Sequence, residues 1–544
     1  MSAVITTSTM RSKSSPISPA TDAAAGRSER SGPAAGRHRF RRDRMELPEF
    51  TIAETQTAFE RGEWTAAGLT DCYSRRIREI DQSGPMLRSI IEVNPDALAI
   101  AESLDAERSG GRIRGALHGV PVVIKDSIDT GDKMATTAGS LALEGNIATR
   151  DAFVVKQLRD AGAVILGKAN MSEWGYMRST RPCSGWSSRG GQVRNPYVLD
   201  RSPLGSSSGS AVAVAANLCV AALGAEVDGS IVRPASSNSI FGLKPTVGLL
   251  SRSGVIGVAS PQDMVGPMAR TVTDVATLLT VMTGVDDSDP TTRAGGAHTA
   301  TDYRRFLDPA ALQGARLGVA RERFGAHEAT DALIEGALAQ LAALGAEIVD
   351  PIQASSLPFF GDLELELFRY GLKASLNGYL GAHPRAAVGS LDELIAFNRA
   401  HAGQVMPYFG QEFLEQAQAK GDLTDPQYLR VRAELRRLAG ADGIDKALRE
   451  HRLDAIVAPT EGSPAFAIDP VVGDNILPGG CSTPPAVAGY PHICVPAGYF
   501  CGLPVGLSLF AGAFQEPKLI GYAYAFEQAT GVRRPPRFVP TLST

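Results

Sequence analysis

The sequence predicts an α/β protein with a single large domain, a central mixed β-sheet flanked by helices, and a helical insertion. Three observations support this prediction. Short apolar segments alternate with helical patterns in the first third of the chain, apolar segments of strand length return near its end, and a charged, mostly helical section lies between them. Strands from both ends therefore enclose the helical section, which favours one sheet over separable domains.

The first elements follow from hydrophobic periodicity. Residues 51–80 have helical spacing in two segments joined at Gly62, and a further helix is predicted over residues 95–108. A β-α-β unit comes next. Its elements are a strand within 119–128, a helix at 153–160 and a strand within 162–167.

The later elements repeat this alternation. A helix over 271–283 has Thr271 or Thr273 as its N-cap, and residues 361–451 are mostly helical. The remaining predictions are a strand, helix and strand at 316–320, 329–344 and 347–350, strands at 455–458, 492–496 and 505–510, and a final helix at 516–530.

Composition and charge limit the function. The net charge is −4, but residues 1–44 hold nine Lys/Arg against three Asp/Glu, which leaves the remainder at 45 against 55. An acidic body argues against nucleic-acid binding. Residues 1–45 lack apolar periodicity and are predicted to be a disordered basic tail. Arg41 and Arg42 are followed by polar residues, which argues against a twin-arginine export signal.

Cysteine usage and hydropathy indicate the compartment. The six cysteines are scattered without C-x-x-C spacing, which is typical of free thiols in a reducing compartment and indicates no metal site. The longest apolar run, 211–223, is shorter than the roughly 20 residues that a membrane helix needs. The protein is predicted to be cytoplasmic.

Two serine-rich turns enclose a small-residue segment, which is predicted to be a rigid helical spacer. The first turn, GSSSG at 205–209, matches the G-x-S-x-G nucleophile elbow with Ser207 at its tip. An elbow directly follows a strand, whereas residues 195–204 are a proline-containing loop. No histidine lies in a late turn with an acidic partner upstream. The pattern therefore argues against an elbow.

The second turn, VDGSI at 227–231, contains Ser230. Consecutive amides around a glycine can converge on one point and form an oxyanion hole, with Ser230 as the nucleophile. The alternative is a tight turn whose serine only makes a local hydrogen bond.

Lys125 follows the apolar run VPVVI at 120–124. Burial there would lower the pKa of the amine and allow a neutral general base. The alternative is a lysine that extends from the strand end or pairs with Asp126. Two hydroxyls and one lysine together indicate hydrolysis without histidine.

These motifs resemble the amidase signature family, whose enzymes use a Ser-cisSer-Lys triad to cleave amides and, in some members, esters or carbamates. The matching motifs within 115–274 are GVPVVIKD at 119–126, GKANMSEW at 167–174, GSSSGSAVAVAA at 205–216, DGSI at 228–231 and GLKPTVGL at 242–249. The later LDAIVAPT, PPAVAGYPHICVPAG and GLPVGLSL also match. The resemblance implies one amidase signature domain over 46–544, with 361–451 as its specificity or lid section.

The resemblance also implies roles for individual residues. Lys125 would be the general base, Ser230 the nucleophile, and Ser206 a bridging serine with a cis peptide bond that relays the proton between them. Ser207 would support the lysine. The implied oxyanion hole consists of the amides of Val227, Asp228, Gly229 and Ser230.

One motif departs from the common family pattern. Many members have T-D-x-G-G-S-I-R where this chain has AEVDGSIV at 225–232, so that Val232 replaces the usual Arg and Arg233 follows it. This puts the usual Asp/Arg pairing in question. The E-x-D-G-S-I form resembles the bacterial peptide-amidase and plant-type branch more than the branch of tRNA-dependent amidotransferases.

An apolar and aromatic segment follows GKAN, and the resemblance places it beside the scissile bond. It predicts a pocket for a bulky apolar acyl group, with ordinary core packing as the alternative. The candidate substrate-binding residues are Met171, Trp174, Tyr176 and Met177. Arg178, Arg181 and Arg233 would bind a carboxylate or be solvated.

The predicted function is hydrolysis of linear carboxylic amides, including C-terminal peptide amides and aryl-acyl or aliphatic amides, through an acyl-enzyme. No cofactor and no metal are expected. The alternatives are a carbamate or ester hydrolase with the same triad, and a non-catalytic scaffold or binding protein. The expected partners are a small-molecule amide, peptide amide or carbamate, with no nucleic acid and no membrane, and the chain would be a monomer or homodimer.

Overall fold

A mixed sheet of eleven strands forms the centre of the protein in a computed structural model that describes residues 47–259, 261–300 and 302–542. The predicted disordered tail lies outside these residues. The strands are β1 (Ile90–Val93), β2 (Pro121–Lys125), β3 (Val164–Ala169), β4 (Trp186–Ser187), β5 (Gly191–Gln192), β6 (Ala221–Glu226), β7 (Phe241–Lys244), β8 (Met264–Ala269), β9 (Arg316–Ala320), β10 (Glu347–Ile352), β11 (Ala455–Pro459), β12 (His492–Phe500) and β13 (Leu503–Phe510).

The sheet joins distant parts of the chain, as the sequence predicts. Its order is β1-β3-β2-β6-β8-β7-β12-β13-β11-β9-β10, and β4 pairs with β5 separately. β2 is parallel to both β3 and β6, whereas β6 is antiparallel to β8. The prediction of a single α/β domain with a mixed sheet is confirmed.

Helices cover the sheet and form the insertion. They are α1 (Ile52–Glu60), α2 (Ala66–Arg76), α3 (Ala97–Ser109), α4 (Phe153–Asp160), α5 (Ser208–Ala215), α6 (Val232–Ser237), α7 (Val272–Met282), α8 (Thr291–Gly296), α9 (Glu328–Ala343), α10 (Asp362–Ala382), α11 (Leu391–Ala400), α12 (Ala402–Val405), α13 (Glu412–Gln418), α14 (Pro426–Arg436), α15 (Asp445–Glu450), α16 (Thr483–Ala488) and α17 (Glu516–Thr530). Among the residues that the structure describes, no helix is long and apolar enough to cross a membrane.

Most predicted elements are found within a few residues of their predicted bounds. The predicted helices at 153–160 and 516–530 have the same bounds in the structure, and Thr271 caps α7 by accepting a hydrogen bond from the Asp274 amide. The prediction of one helical spacer between the two serine-rich turns is wrong in part, because this segment divides into helix α5 and strand β6. β6 has the sequence AALGAE, which lacks the β-branched residues that mark most strands.

Candidate active site

Three segments of the chain meet at one edge of the sheet. Strand β2 ends at Lys125, and its parallel neighbour β6 ends at Glu226, just before the turn that contains Ser230. Ser206 precedes α5, which packs against both strands. Carboxyl ends of parallel strands meet at the same edge, where open α/β sheets bind their ligands. The topology therefore brings the predicted triad residues together.

Lys125 is buried and bonded to a serine. Its Nζ lies 2.8 Å from Ser206 Oγ and 2.7 Å from the carbonyl oxygen of Ala225. Burial lowers the pKa of this amine to about 7, although the negative charges of Glu226 and Asp263 act in the opposite direction. A neutral amine can donate to the carbonyl and direct its lone pair toward the serine hydroxyl.

The alternative partner of Lys125, Asp126, is engaged elsewhere. The Asp126 carboxylate accepts a hydrogen bond from the Thr137 hydroxyl and another, of 3.0 Å, from the amide of Gly139. Lys125 is only 2 % exposed. The interpretation of Lys125 as a solvated or Asp126-paired strand-end lysine is therefore wrong.

Ser207 has a structural position rather than that of an elbow nucleophile. Its side chain is fully buried, its hydroxyl donates to the Ala225 carbonyl at 3.0 Å, and it accepts from the Ala225 amide at 3.2 Å. The Ser207 amide also donates to the carbonyl of Ser230. The peptide bond between Gly205 and Ser206 is cis, as the resemblance implies for Ser206. Ser207 thus fixes both the carbonyl that holds Lys125 and the turn of Ser230.

The turn of Ser230 presents free amides. Gly229 has φ +74°, and an added Cβ there would lie 2.3 Å from Arg233 Cδ, so this conformation favours glycine. The amides of Asp228, Gly229 and Ser230 donate no hydrogen bond to any acceptor in the described parts of the chain. Consecutive amides that are free in this way are available to stabilise an oxyanion.

Glu226 holds the turn of Ser230 in place through two hydrogen bonds. Its carboxylate accepts hydrogen bonds from the amides of Ile231, at 2.7 Å, and Val232, at 3.2 Å. Burial raises the pKa of Glu226, and the positive charge of Lys244 opposes this shift. The sequence alone does not indicate this role for Glu226. A signal is visible, because Glu226 stands in AEVDGSIV where the common family pattern T-D-x-G-G-S-I-R has Asp.

A narrow, mostly apolar cleft opens onto the triad candidates. Lys125, Ser206 and Ser230 line it together with Met171 and Trp174. Leu372 and Leu376 of α10 complete one wall. The predicted lid section therefore contributes directly to the cleft.

Two predicted substrate-binding residues lie outside this lining. Met177 is buried in the same hydrophobic cluster as Met171 and Leu372, beside the cleft. Tyr176 stacks on Phe360 with ring centroids 6.1 Å apart. Burial raises the pKa of Tyr176. For Met177 the alternative of core packing describes the observed position.

The three arginine candidates have different positions. Arg233 is buried, forms an ion pair with the Glu461 carboxylate and lies over the Phe359 ring. Arg178 is 1 % exposed and donates to the carbonyls of Val405 and Phe409. The expectation of a solvated arginine is therefore wrong for these two.

Arg181 is the exposed member of the set. Its backbone amide donates to the hydroxyl of Ser179 at 3.1 Å.

Comparisons with known proteins agree with this geometry. A family model described as amidase matches residues 69–520. An Arabidopsis thaliana protein named as a probable amidase is 40% identical over 505 residues, covering 91% of this chain and 92% of that protein. The crystal structure of the native peptide amidase from Stenotrophomonas maltophilia has a TM-score of 0.84 and 49% identity, covering 90% of this chain and 98% of the other.

A third relative belongs to another branch. It is a glutamyl-tRNA(Gln) amidotransferase component from Halorhodospira halophila, and it is 38% identical over 495 residues, which cover 88% of this chain and 97% of that protein.

The fold and the site define an amidase-type hydrolase. The chain belongs to the amidase signature family, and its similarity to the peptide amidase and to the plant amidase confirms the resemblance inferred from the motifs.

Proposed function

We propose that the protein hydrolyses linear carboxylic amides through an acyl-enzyme on Ser230. Ser206 Oγ takes the proton from Ser230 Oγ and passes its own to the neutral amine of Lys125. The Ser230 oxygen attacks the carbonyl carbon, and the amides of residues 227–230 hold the resulting oxyanion. The proton returns through Ser206 to the leaving nitrogen as the C–N bond breaks. Water then repeats the sequence and releases the acid.

The observation that carries this proposal is the environment of Lys125. This lysine is fully buried and contacts a hydroxyl and a carbonyl rather than a carboxylate. Such an environment favours the neutral form of the amine. Its pKa of about 7 lies near the value at which a general base works best at neutral pH. Ser206 and Ser230 line the same cleft, which supports a relay between them.

The cleft also supports a substrate class. Met171, Trp174 and two leucines of α10 provide an apolar wall suited to an apolar or aromatic acyl group. A peptide amidase is among the similar structures, which supports peptide amides as the first substrates to test. The proposed substrates are therefore amides with a bulky apolar acyl part, with C-terminal peptide amides first among them.

The proposal is tested by a substrate panel with a labelling control. Peptide amide, anilide, short aliphatic amide, carbamate and ester are compared by kcat/KM, and a fluorophosphonate probe is applied to the wild-type protein and to Ser230→Ala. We expect the apolar peptide amide to rank highest and labelling to vanish in the variant. Carbamate or ester turnover far above all amides would overturn the substrate class. A folded wild-type protein that is never labelled would overturn the enzyme mechanism.

A further inference from the structure

Two buried carboxyl groups from distant parts of the chain meet beside the candidate oxyanion turn. Asp228 belongs to that turn, and Glu364 lies in the first turn of α10, the helix that walls the cleft. Glu364 is 1 % exposed and Asp228 is 2 % exposed. Gln262 Nε2 lies 3.0 Å from Glu364 Oε1 and 3.5 Å from the carbonyl oxygen of Val227, the neighbour of Asp228, and the two carboxyl groups interact with each other. The pair therefore connects the insertion to the site.

Each carboxyl group has one satisfied oxygen. The Thr483 hydroxyl donates to Asp228 Oδ2 at 2.6 Å, and Gln262 Nε2 donates to Glu364 Oε1 at 3.0 Å. The other oxygens, Asp228 Oδ1 and Glu364 Oε2, are buried and have no well-formed hydrogen bond within the described ranges, although the Ser482 hydroxyl lies near Asp228 and the Phe360 amide lies near Glu364. Two ionised carboxylates cannot satisfy each other, whereas a single shared proton turns one of them into a donor.

The surroundings place that proton on Glu364. Burial and the negative charge of Asp228 raise the pKa of Glu364 well above its usual value. Burial also raises the pKa of Asp228, but the hydroxyls of Ser482 and Thr483 and the positive charge of Arg233 oppose this shift, and nothing comparable faces Glu364 among the described residues. The other ionisable groups that face Asp228 are Glu226, Lys244 and Cys481.

We propose that Glu364 is a positioning residue whose protonated carboxyl donates a hydrogen bond to Asp228 and so fixes the oxyanion turn against α10. This inference rests on the proposed function, because it assigns a purpose to the turn that holds Ser230. Oxyanion donors act mainly in the transition state, so a displaced turn lowers kcat and leaves KM nearly unchanged. Glu364 itself does not touch the reacting atoms.

The decisive comparison uses two variants of Glu364. Glu364→Gln keeps an acceptor for Gln262 and supplies a permanent donor for Asp228, so we expect kcat to stay within about threefold of wild type. Glu364→Met has a similar volume but no donor, and we expect kcat to fall about thirtyfold with KM within about threefold.

A matched control lies on the same helix. Glu366 pairs with Arg369 and Lys420 on the outer side of α10, so Glu366→Met should leave kcat unchanged. The proposal is overturned if Glu364→Gln loses as much kcat as Glu364→Met, or if Glu364→Met retains wild-type kcat.

An infrared difference spectrum provides a readout that does not depend on turnover. At pH 8 the wild-type protein should show the C=O stretch of a protonated carboxylic acid that Glu364→Gln lacks. A spectrum with only ionised carboxylate bands would overturn the shared proton. Failure of the proposed function would look different, because the wild-type protein would then show no labelling of Ser230 while the infrared band could still be present.

Discussion

Lys125 and Lys168 belong to neighbouring strands of the sheet, yet their surroundings differ. They belong to the adjacent parallel strands β2 and β3, and Lys168 is paired in register with Ile124. Both are buried, and burial lowers the pKa of both amines. Lys168 Nζ contacts the carbonyl of Ile128 and the hydroxyl of Thr136, and the charges of Asp126 and Asp129 favour its ionised form.

The difference shows that burial alone does not make a lysine a base. The hydroxyl that Lys125 contacts, Ser206, lines the cleft, whereas neither Lys168 nor Thr136 is among the residues that line it in the described structure. Lys168 instead neutralises a group of buried carboxylates. We therefore assign reactivity to the region around Lys125 and stability to the region around Lys168.

The largest expected effect is on catalysis. Lys125→Met removes the proposed base and should lower kcat/KM for a peptide amide by about a thousandfold, whereas Lys168→Met should leave the kcat/KM of the folded fraction within about threefold. Steady-state kinetics on both purified variants measure this contrast. A loss below tenfold in Lys125→Met, or equal losses in both, would contradict the division.

The next effect is on the free energy of unfolding, where the two substitutions are expected to act in opposite directions. Burial also lowers the pKa of Lys168, but Lys168→Met removes two buried hydrogen bonds and leaves buried Asp126 without its compensating charge. We expect these losses to lower the free energy of unfolding by about 3 kcal/mol. Lys125→Met should instead raise it at pH 7. The unfolded chain binds this proton up to its ordinary pKa of 10.5 and the folded chain only up to about 7, so the stabilisation shrinks as pH rises from 7 to 10.5. Urea unfolding at several pH values tests both signs.

A smaller effect is expected at Ser207. Ser207→Ala removes the hydrogen bond to the Ala225 carbonyl and leaves the Ala225 amide without its acceptor, so Lys125 is held less firmly. We expect kcat to fall about tenfold while the fluorophosphonate still labels Ser230. Complete loss of labelling would instead support Ser207 as the nucleophile.

Much of the fold can be predicted because its strands and helices carry strong local signals. The apolar β2 and the strongly amphipathic α4 are examples, and the sequence predicts both correctly. It does not predict β6 and β8. Their sequences, AALGAE and MVGPMA, are stabilised by pairing with each other in the sheet rather than by local preference.

The residues of the candidate site also fall into those that the sequence predicts and those that it does not. Lys125, Ser206 and Ser230 can be named from the sequence because each lies in a recognisable motif. Glu364 and Asp263 cannot, because they are single acidic residues outside those motifs, and only the folded chain brings them to the cleft region. Likewise, the partner of Arg233, Glu461, is 228 residues away. Sequence spacing gives no sign of such a pair.

The central claim is that Lys125 is a neutral base because it is buried. The most direct measurement is the rate at which a neutral fluorophosphonate reacts with Ser230 as a function of pH, since it requires no knowledge of the substrate. We expect the rate to fall about tenfold for each pH unit below 7 and to level off above it, with a midpoint near the Lys125 pKa of about 7. A rate that is unchanged between pH 5 and pH 9, or one that rises only near the ordinary lysine pKa, would contradict the account.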